Sequence, residues 1–176
     1  MRRCSVCGMT TDKTHNGSCF CGAITYRLKR DPMFVHACHC RDCQKQTGGP
    51  FAINALIERA EVEILGGAPI CVEMGTDSGR PHDIYRCPAC DTALWSDYGR
   101  REKLVFIRVA SLDEPERCAP DVHIFTHTRL PFADIPPGSR AFNIFYDMRE
   151  EWPADSLERF AALGVRMLGI AGSSDA

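Results

Sequence analysis

The spacing of the cysteines constrains this chain more than any other feature. There are eleven in 176 residues. They fall as Cys4-x-x-Cys7, Cys19-x-Cys21, Cys38-x-Cys40-x-x-Cys43 and Cys87-x-x-Cys90, with only Cys71 and Cys118 standing alone. An odd number rules out complete internal disulfide pairing. Two cysteines one or two residues apart let two thiolates face one ion, which is how zinc knuckles are built. A chain of this length buries roughly 70% of the surface its unfolded form exposes. It therefore does not need metal merely because it is small.

The rest of the composition is ordinary for one globular domain, with 44% hydrophobic and 25% charged residues. The formal net charge is −2 and no long basic run occurs, so no nucleic-acid footprint is expected. Arg2 and Arg3 lead into Cys4, Ser5 and Cys7 rather than into an apolar segment, so no signal-peptide pattern is read there. No run of about 18 apolar residues exists to cross a membrane. The expected location is the cytoplasm, where many cysteines do not imply disulfides.

Residues 1–16 read as an extension that carries the extra pair Cys4 and Cys7. Residues 17–165 read as one zinc-binding domain, and 166–176 as a small, polar tail. Short segments rich in β-formers recur at 23–28, 33–37, 51–57, 62–65, 70–74, 83–86, 92–96, 103–109 and 123–128, with turn residues between them. This pattern predicts a mainly β domain. The stretch 46–50 reads as a loop. One helix is expected near the C-terminus, with Asp155 as its cap and Glu158 three residues on.

Cys19, Cys21, Cys87 and Cys90 form a closed four-thiolate set, the arrangement of structural zinc. Pro88 stiffens the Cys87–Cys90 turn. Asp91 stands where such a turn often wants a left-handed residue, a conformation Asp tolerates better than most. In extended chain Cys19 and Cys21 share a face, so both sulfurs meet an ion above the strand. The bland alternative is a set of buried free cysteines.

Cys38, Cys40 and Cys43 differ, because no fourth sulfur lies near in sequence. Three protein ligands and one open position are the pattern of catalytic zinc. Three thiolates suit the ion to a soft sulfur ligand. His39, between two ligands, points the other way in extended chain and is read as a donor behind the ligands or a proton shuttle rather than a ligand. Two other readings stay open. One is a second structural zinc completed by Cys71 or a histidine, and the other is a redox-sensing thiol cluster. Cys4-x-x-Cys7-Gly8 is half a zinc site. Its missing partners are sought in His15 with Cys71 or Cys118, or in the same pair of another subunit, and its bland reading is a loose leader. Lys45, Arg86 and Arg129 are candidate carboxylate partners, each read first as a surface charge.

The segments Gly17-Ser18-Cys19-Phe20-Cys21-Gly22-Ala23, Cys38-His39-Cys40-Arg41-Asp42-Cys43-Gln44-Lys45-Gln46-Thr47-Gly48 and Tyr85-Arg86-Cys87-Pro88-Ala89-Cys90 occur in this order. With His123-Ile124-Phe125-Thr126 and Leu130-Pro131-Phe132, they resemble the GFA family, also called the CENP-V/GFA domain. Asp91, Arg129 and Phe132 depart from the family's usual Gly, Lys and Trp, and the Cys4–Cys7 extension is not part of its pattern. The resemblance implies a β-tent of twisted antiparallel sheets with zinc-ribbon character. It also implies structural zinc at Cys19, Cys21, Cys87 and Cys90, and catalytic zinc at Cys38, Cys40 and Cys43.

Two zinc ions per chain are thus expected, the second open to partial loading. The implied activity is that of a carbon–sulfur lyase or synthase on a thiol adduct of the S-(hydroxymethyl)glutathione kind, with glutathione as the partner thiol. A non-catalytic zinc module and a thiol redox sensor are the alternatives.

Overall fold

Alternation of apolar and polar residues gives the chain eleven short strands among the described residues, in the mainly β pattern that the sequence predicts. The computed structural model describes residues 13–165. The expectations for Cys4 and Cys7 and for the tail at 166–176 lie outside the described residues. The elements run β1 (His15–Ser18), β2 (Thr25–Leu28), β3 (Phe34–Cys38), α1 (Arg41–Thr47), β4 (Ala52–Glu58), β5 (Val62–Gly66), β6 (Ile70–Met74) and β7 (His82–Arg86). They continue with β8 (Ala93–Tyr98), β9 (Leu104–Arg108), β10 (Val122–Ile124), β11 (Arg140–Ala141), α2 (Met148–Glu151) and α3 (Ala154–Ala162).

The strands form a three-stranded sheet, β1-β2-β5, and an eight-stranded sheet, β11-β10-β3-β4-β9-β8-β7-β6. Neighbours pair antiparallel, except that β10 runs parallel to both β3 and β11. The fold is therefore mainly β, built of antiparallel sheets, with α3 as the C-terminal helix.

The large sheet has two different faces, because successive residues of a strand point opposite ways. On one face Val35, Ala55, Ile57, Val105 and Ile107 pack with Tyr26, Leu28 and Val62 of the small sheet. On the other, Phe34, Leu56 and Leu104 pack with Tyr146, Trp152 and Phe160 of the C-terminal segment. The same second face carries His36, Asn54 and Arg108, which turn toward a cavity.

Four local expectations are corrected. Residues Arg41–Thr47 are helical, where only a cysteine segment and a loop are read from sequence. Cys19 to Cys21 is a turn joining β1 to β2, not extended chain, because the Gly22 N–H closes onto the Cys19 carbonyl at 3.0 Å. The alternation at 123–128 stops early, because Phe125 is left-handed (φ 57°) and Thr126–Thr128 forms a 3-10 turn. Asp155 lies inside α3, whose cap position is Pro153 with no side-chain hydrogen bond.

Candidate metal centres

The four-cysteine set is assembled from two similar loops on the core face shared with the small sheet. In the first, the Cys19 N–H bonds the Ile24 carbonyl and the Gly22 N–H bonds the Cys19 carbonyl, both at 3.0 Å. In the second, the Cys87 N–H bonds the Thr92 carbonyl and the Asp91 N–H bonds the Cys87 carbonyl, again at 3.0 Å. Each loop closes with a left-handed residue, Gly22 (φ 76°) and Asp91 (φ 57°). The four sulfurs lie within 4.8 Å of one another. Cys19 Sγ stands 3.6 Å from Cys21 Sγ, which stands 3.8 Å from Cys87 Sγ. Four thiolates at about 2.3 Å from a central ion have tetrahedral edges of about 3.8 Å, so this donor set fits a soft divalent metal. The Ile24 N–H donates to Cys19 Sγ at 3.2 Å. Hydrogen bonds from the Thr92 hydroxyl and backbone bring the Cys90 thiol down to about 6.

The three-cysteine set stands on the other face. Cys38 ends β3, Cys40 caps α1 and Cys43 sits one turn into that helix, and the three sulfurs lie within 4.8 Å of one another. The Cys43 N–H donates to Cys40 Sγ at 3.4 Å. The segment is held from several sides. Gln44 Nε2 donates to the carbonyls of His39 (2.7 Å) and Thr128 (3.0 Å), and the Thr128 hydroxyl donates to the His39 carbonyl at 2.9 Å. Gly48, left-handed at φ 67°, ends α1 with its N–H on the Gln44 carbonyl. Among the three thiols Cys43 ionises first, since it receives hydrogen bonds from Cys38 and Cys40 and faces the Arg108 guanidinium. The same sharing raises Cys38.

No fourth cysteine, histidine or carboxylate joins this group among the described residues. Cys71 is exposed on β6 and takes no part. His39 is fully buried and turns away, its Nε2 lying 3.0 Å from His123 Nδ1. It packs on Phe51, as its place between two sulfur-bearing residues predicts.

All three cysteines line a cavity of about 520 Å³. Leu56, Phe106, Ile124, Phe125 and Phe145 supply apolar wall, and Arg41, Arg80, Arg101 and Arg108 supply positive charge. Arg101 lies 5.0 Å from the Phe106 ring centroid, and burial lowers its guanidinium to about 10. Arg108 is fixed by Asn54 and by Gln46, the latter at 3.0 Å. Two histidines in the wall stay neutral. Burial, with Arg101 nearby, lowers His36 to about 3. Burial, with Arg108 nearby, lowers His82 to about 4.

Arg80, Arg101 and Arg108 are not singled out by sequence, since none belongs to a motif there. Of the three cations that are, Arg86 bonds the Asp91 carbonyl and Arg129 the Ala133 carbonyl, and neither they nor Lys45 line the cavity. A cue was available in Arg108, a charge on a strand that otherwise reads Leu-Val-Phe-Ile.

No helix among the described residues is long and apolar enough to cross a membrane. A Halomonas elongata protein, named as an inferred glutathione-dependent formaldehyde-activating enzyme, is 27% identical over 128 residues, covering 68% of this chain and 79% of its own. The crystal structure of a Rhodobacter sphaeroides protein overlaps 56% of this chain and 87% of its own, with a TM-score of 0.42 and 19% identity. The family model described as glutathione-dependent formaldehyde-activating enzyme matches residues 14–128, more than half of the chain. The chain belongs to that family.

Proposed function

We propose that this protein is a zinc-dependent carbon–sulfur lyase or synthase acting on a small thiol adduct of the S-(hydroxymethyl)glutathione kind. The reading rests on one observation above all: three thiols with no fourth partner among the described residues, opening on a cavity large enough for such an adduct. On this reading Cys19, Cys21, Cys87 and Cys90 hold a structural zinc, and Cys38, Cys40 and Cys43 hold a second, catalytic one. Zinc bound by three thiolates would keep a substrate thiol ionised and fix its position.

The chain's own residues supply the rest. Arg80, Arg101 and Arg108 offer guanidinium donors to the carboxylates of a glutathione-like thiol. The aromatic wall excludes water from the reacting carbon. In the synthetic direction the thiolate electron pair forms the carbon–sulfur bond to the aldehyde carbon. The carbonyl π pair moves to oxygen, which takes a proton. The lyase direction reverses these steps, so no oxidant or reductant is needed. A purely structural second zinc is disfavoured by the open cavity beside the three thiols.

The test is Cys40→Ser assayed for turnover of a glutathione–formaldehyde adduct, with zinc content measured alongside. Turnover should fall to the uncatalysed rate while the four-cysteine zinc stays. Unchanged turnover would overturn the mechanism.

A further inference from the structure

A polar row crosses the large sheet where it floors the cavity. In register, His36 of β3 stands opposite Asn54 of β4, and Asn54 opposite Arg108 of β9. All three line the cavity. Asn54 and Arg108 are bonded to each other, and Arg108 also holds Gln46 at 3.0 Å. His36 is bonded the other way, back into the protein. Its Nε2 meets the Tyr146 hydroxyl, which in turn accepts the Trp152 indole N–H at 2.7 Å. All three side chains are buried.

This chain of bonds fixes where the imidazole proton sits. An indole N–H can only donate. The Tyr146 oxygen therefore accepts from Trp152, and its own proton goes to His36 Nε2, its remaining partner among the described residues. An N–H at Nε2 would turn that bond round and leave the Tyr146 proton buried with no acceptor, an unfavourable state. Both the other tautomer and the imidazolium carry that N–H. His36 is thus neutral, with its proton on Nδ1. The rings of Phe34, Phe145 and Tyr146 pack edge-on against the imidazole, with centroids at 5.6, 5.6 and 5.4 Å, and hold its orientation.

The Nδ1 atom makes no hydrogen bond among the described residues and is not sealed from solvent. It is a donor left for something in the cavity. His36 and Cys38 lie two residues apart on β3 and so share a face. Along the strand that separation is about 7 Å. The sulfur, carbon and oxygen of a small adduct span such a gap, with a hydrogen bond at the far end.

We propose that His36 is a catalytic residue, its Nδ1–H donating to the oxygen of the carbon that bonds the substrate sulfur, with Tyr146 as the positioning residue that fixes the tautomer. The inference rests on the thiol-adduct reading above and adds to it the group that meets the oxygen. As the thiolate pair forms the carbon–sulfur bond, the carbonyl π pair moves to oxygen, and the Nδ1–H stabilises the charge that develops there. The oxygen then takes its proton from water, while His36 keeps its own. In the lyase direction the hydroxyl proton returns to water, the carbonyl reforms and the sulfur leaves with the bonding pair.

Two measurements on the full, zinc-loaded chain test this. In 15N NMR without substrate, His36 should show a protonated Nδ1 and an unprotonated Nε2, and Tyr146→Phe should release the ring to a mixture of tautomers. In kinetics with a glutathione–formaldehyde adduct, two amides separate the ring positions. His36→Gln places its amide near Nε2, beside Tyr146, and loses the cavity donor. His36→Asn places an amide N–H near Nδ1. His36→Gln should lower kcat by about 100-fold with KM within about three-fold, and His36→Asn should keep kcat within about ten-fold of the natural protein. A proton on Nε2 in the natural protein would overturn the inference, as would equal kcat losses in the two variants. Natural turnover in His36→Gln alongside lost turnover in Cys40→Ser overturns this inference and leaves the thiol-adduct reading standing. No adduct turnover by the natural protein overturns both.

Discussion

A methyl group added at Gly17 has nowhere to go. It would stand 2.5 Å from Tyr26 Cζ and 2.7 Å from the Ser111 carbonyl oxygen. Tyr26 cannot yield, because it is fully buried and its hydroxyl is tied to Ser111 Oγ at 2.7 Å. Gly17→Ala should therefore lose about 1–3 kcal/mol by chemical denaturation. Asp91 is the opposite case. It is held at φ 57° and its carbonyl, not its side chain, receives Arg86. Asp91→Gly should be neutral or stabilise by up to about 1 kcal/mol, seen as an unchanged or raised Tm. At the cavity, Arg80→Ala should raise KM for a glutathione adduct by about 3- to 10-fold with kcat little changed, the signature of a lost carboxylate contact. These positions were not equally legible in the sequence. The left-handed residue after Cys90 follows from knuckle chemistry alone. The tightness at Gly17 and the convergence of the cavity arginines depend on chain segments far apart in sequence.

At the scale of elements, α3 shows how charge fastens a helix to a sheet. Phe160 is buried with its ring 5.6 Å from that of Trp152, and Ser156 Oγ donates to the Met33 carbonyl at 2.7 Å. Arg159 clamps Glu58 at the end of β4 through two bonds, 2.8 and 2.6 Å. Burial works against the Glu58 carboxylate, yet the Arg159 hydrogen bonds outweigh it and leave its pKa lowered from 4.5. A lowered folded-state value gives stability that is fully present above 4.5 and lost as pH falls through the lower folded value. The natural protein should exceed Glu58→Gln by about 1–3 kcal/mol in guanidinium unfolding at pH 7. The gap should narrow at pH 3, and an equal gap at both would contradict the assignment. The strands were legible because their apolar positions alternate or run together. α1 was not, because it has 7 residues and buries only Cys43 and Gln44. Its helicity is set by Cys40 and Gly48 at its ends and by hydrogen bonds to Thr128, none of which leaves an apolar period.

For the whole molecule the large sheet acts as a partition. The four-cysteine centre lies with the core that joins the two sheets, and the three-cysteine centre lies on the opposite face beside the cavity. Loss of a ligand should then mean different things on the two sides. Cys87→Ser removes a fully buried thiol between the sheets, a ligand of the proposed structural zinc. It should cost most of the net stability, given that structural zinc contributes about 10–16 kcal/mol in peptides. Loss of soluble protein or of the cooperative thermal transition is the readout. Cys40→Ser should leave that transition within a few degrees of the natural protein. The sequence separates the two sets by number of cysteines, but does not show that they are divided by a sheet, because that depends on which face each strand turns inward. The four-cysteine centre also has a history in time. Its halves lie 66 positions apart between Cys21 and Cys87. A chain emerging from the ribosome holds the first loop long before the second exists. On the proposed reading, until Cys90 is made Cys19 and Cys21 would be half of a chelate. If the set holds zinc as proposed, metal capture would be tied to a late moment in synthesis, and a growing chain in a zinc-poor cell would be most exposed to misfolding in the interval before it.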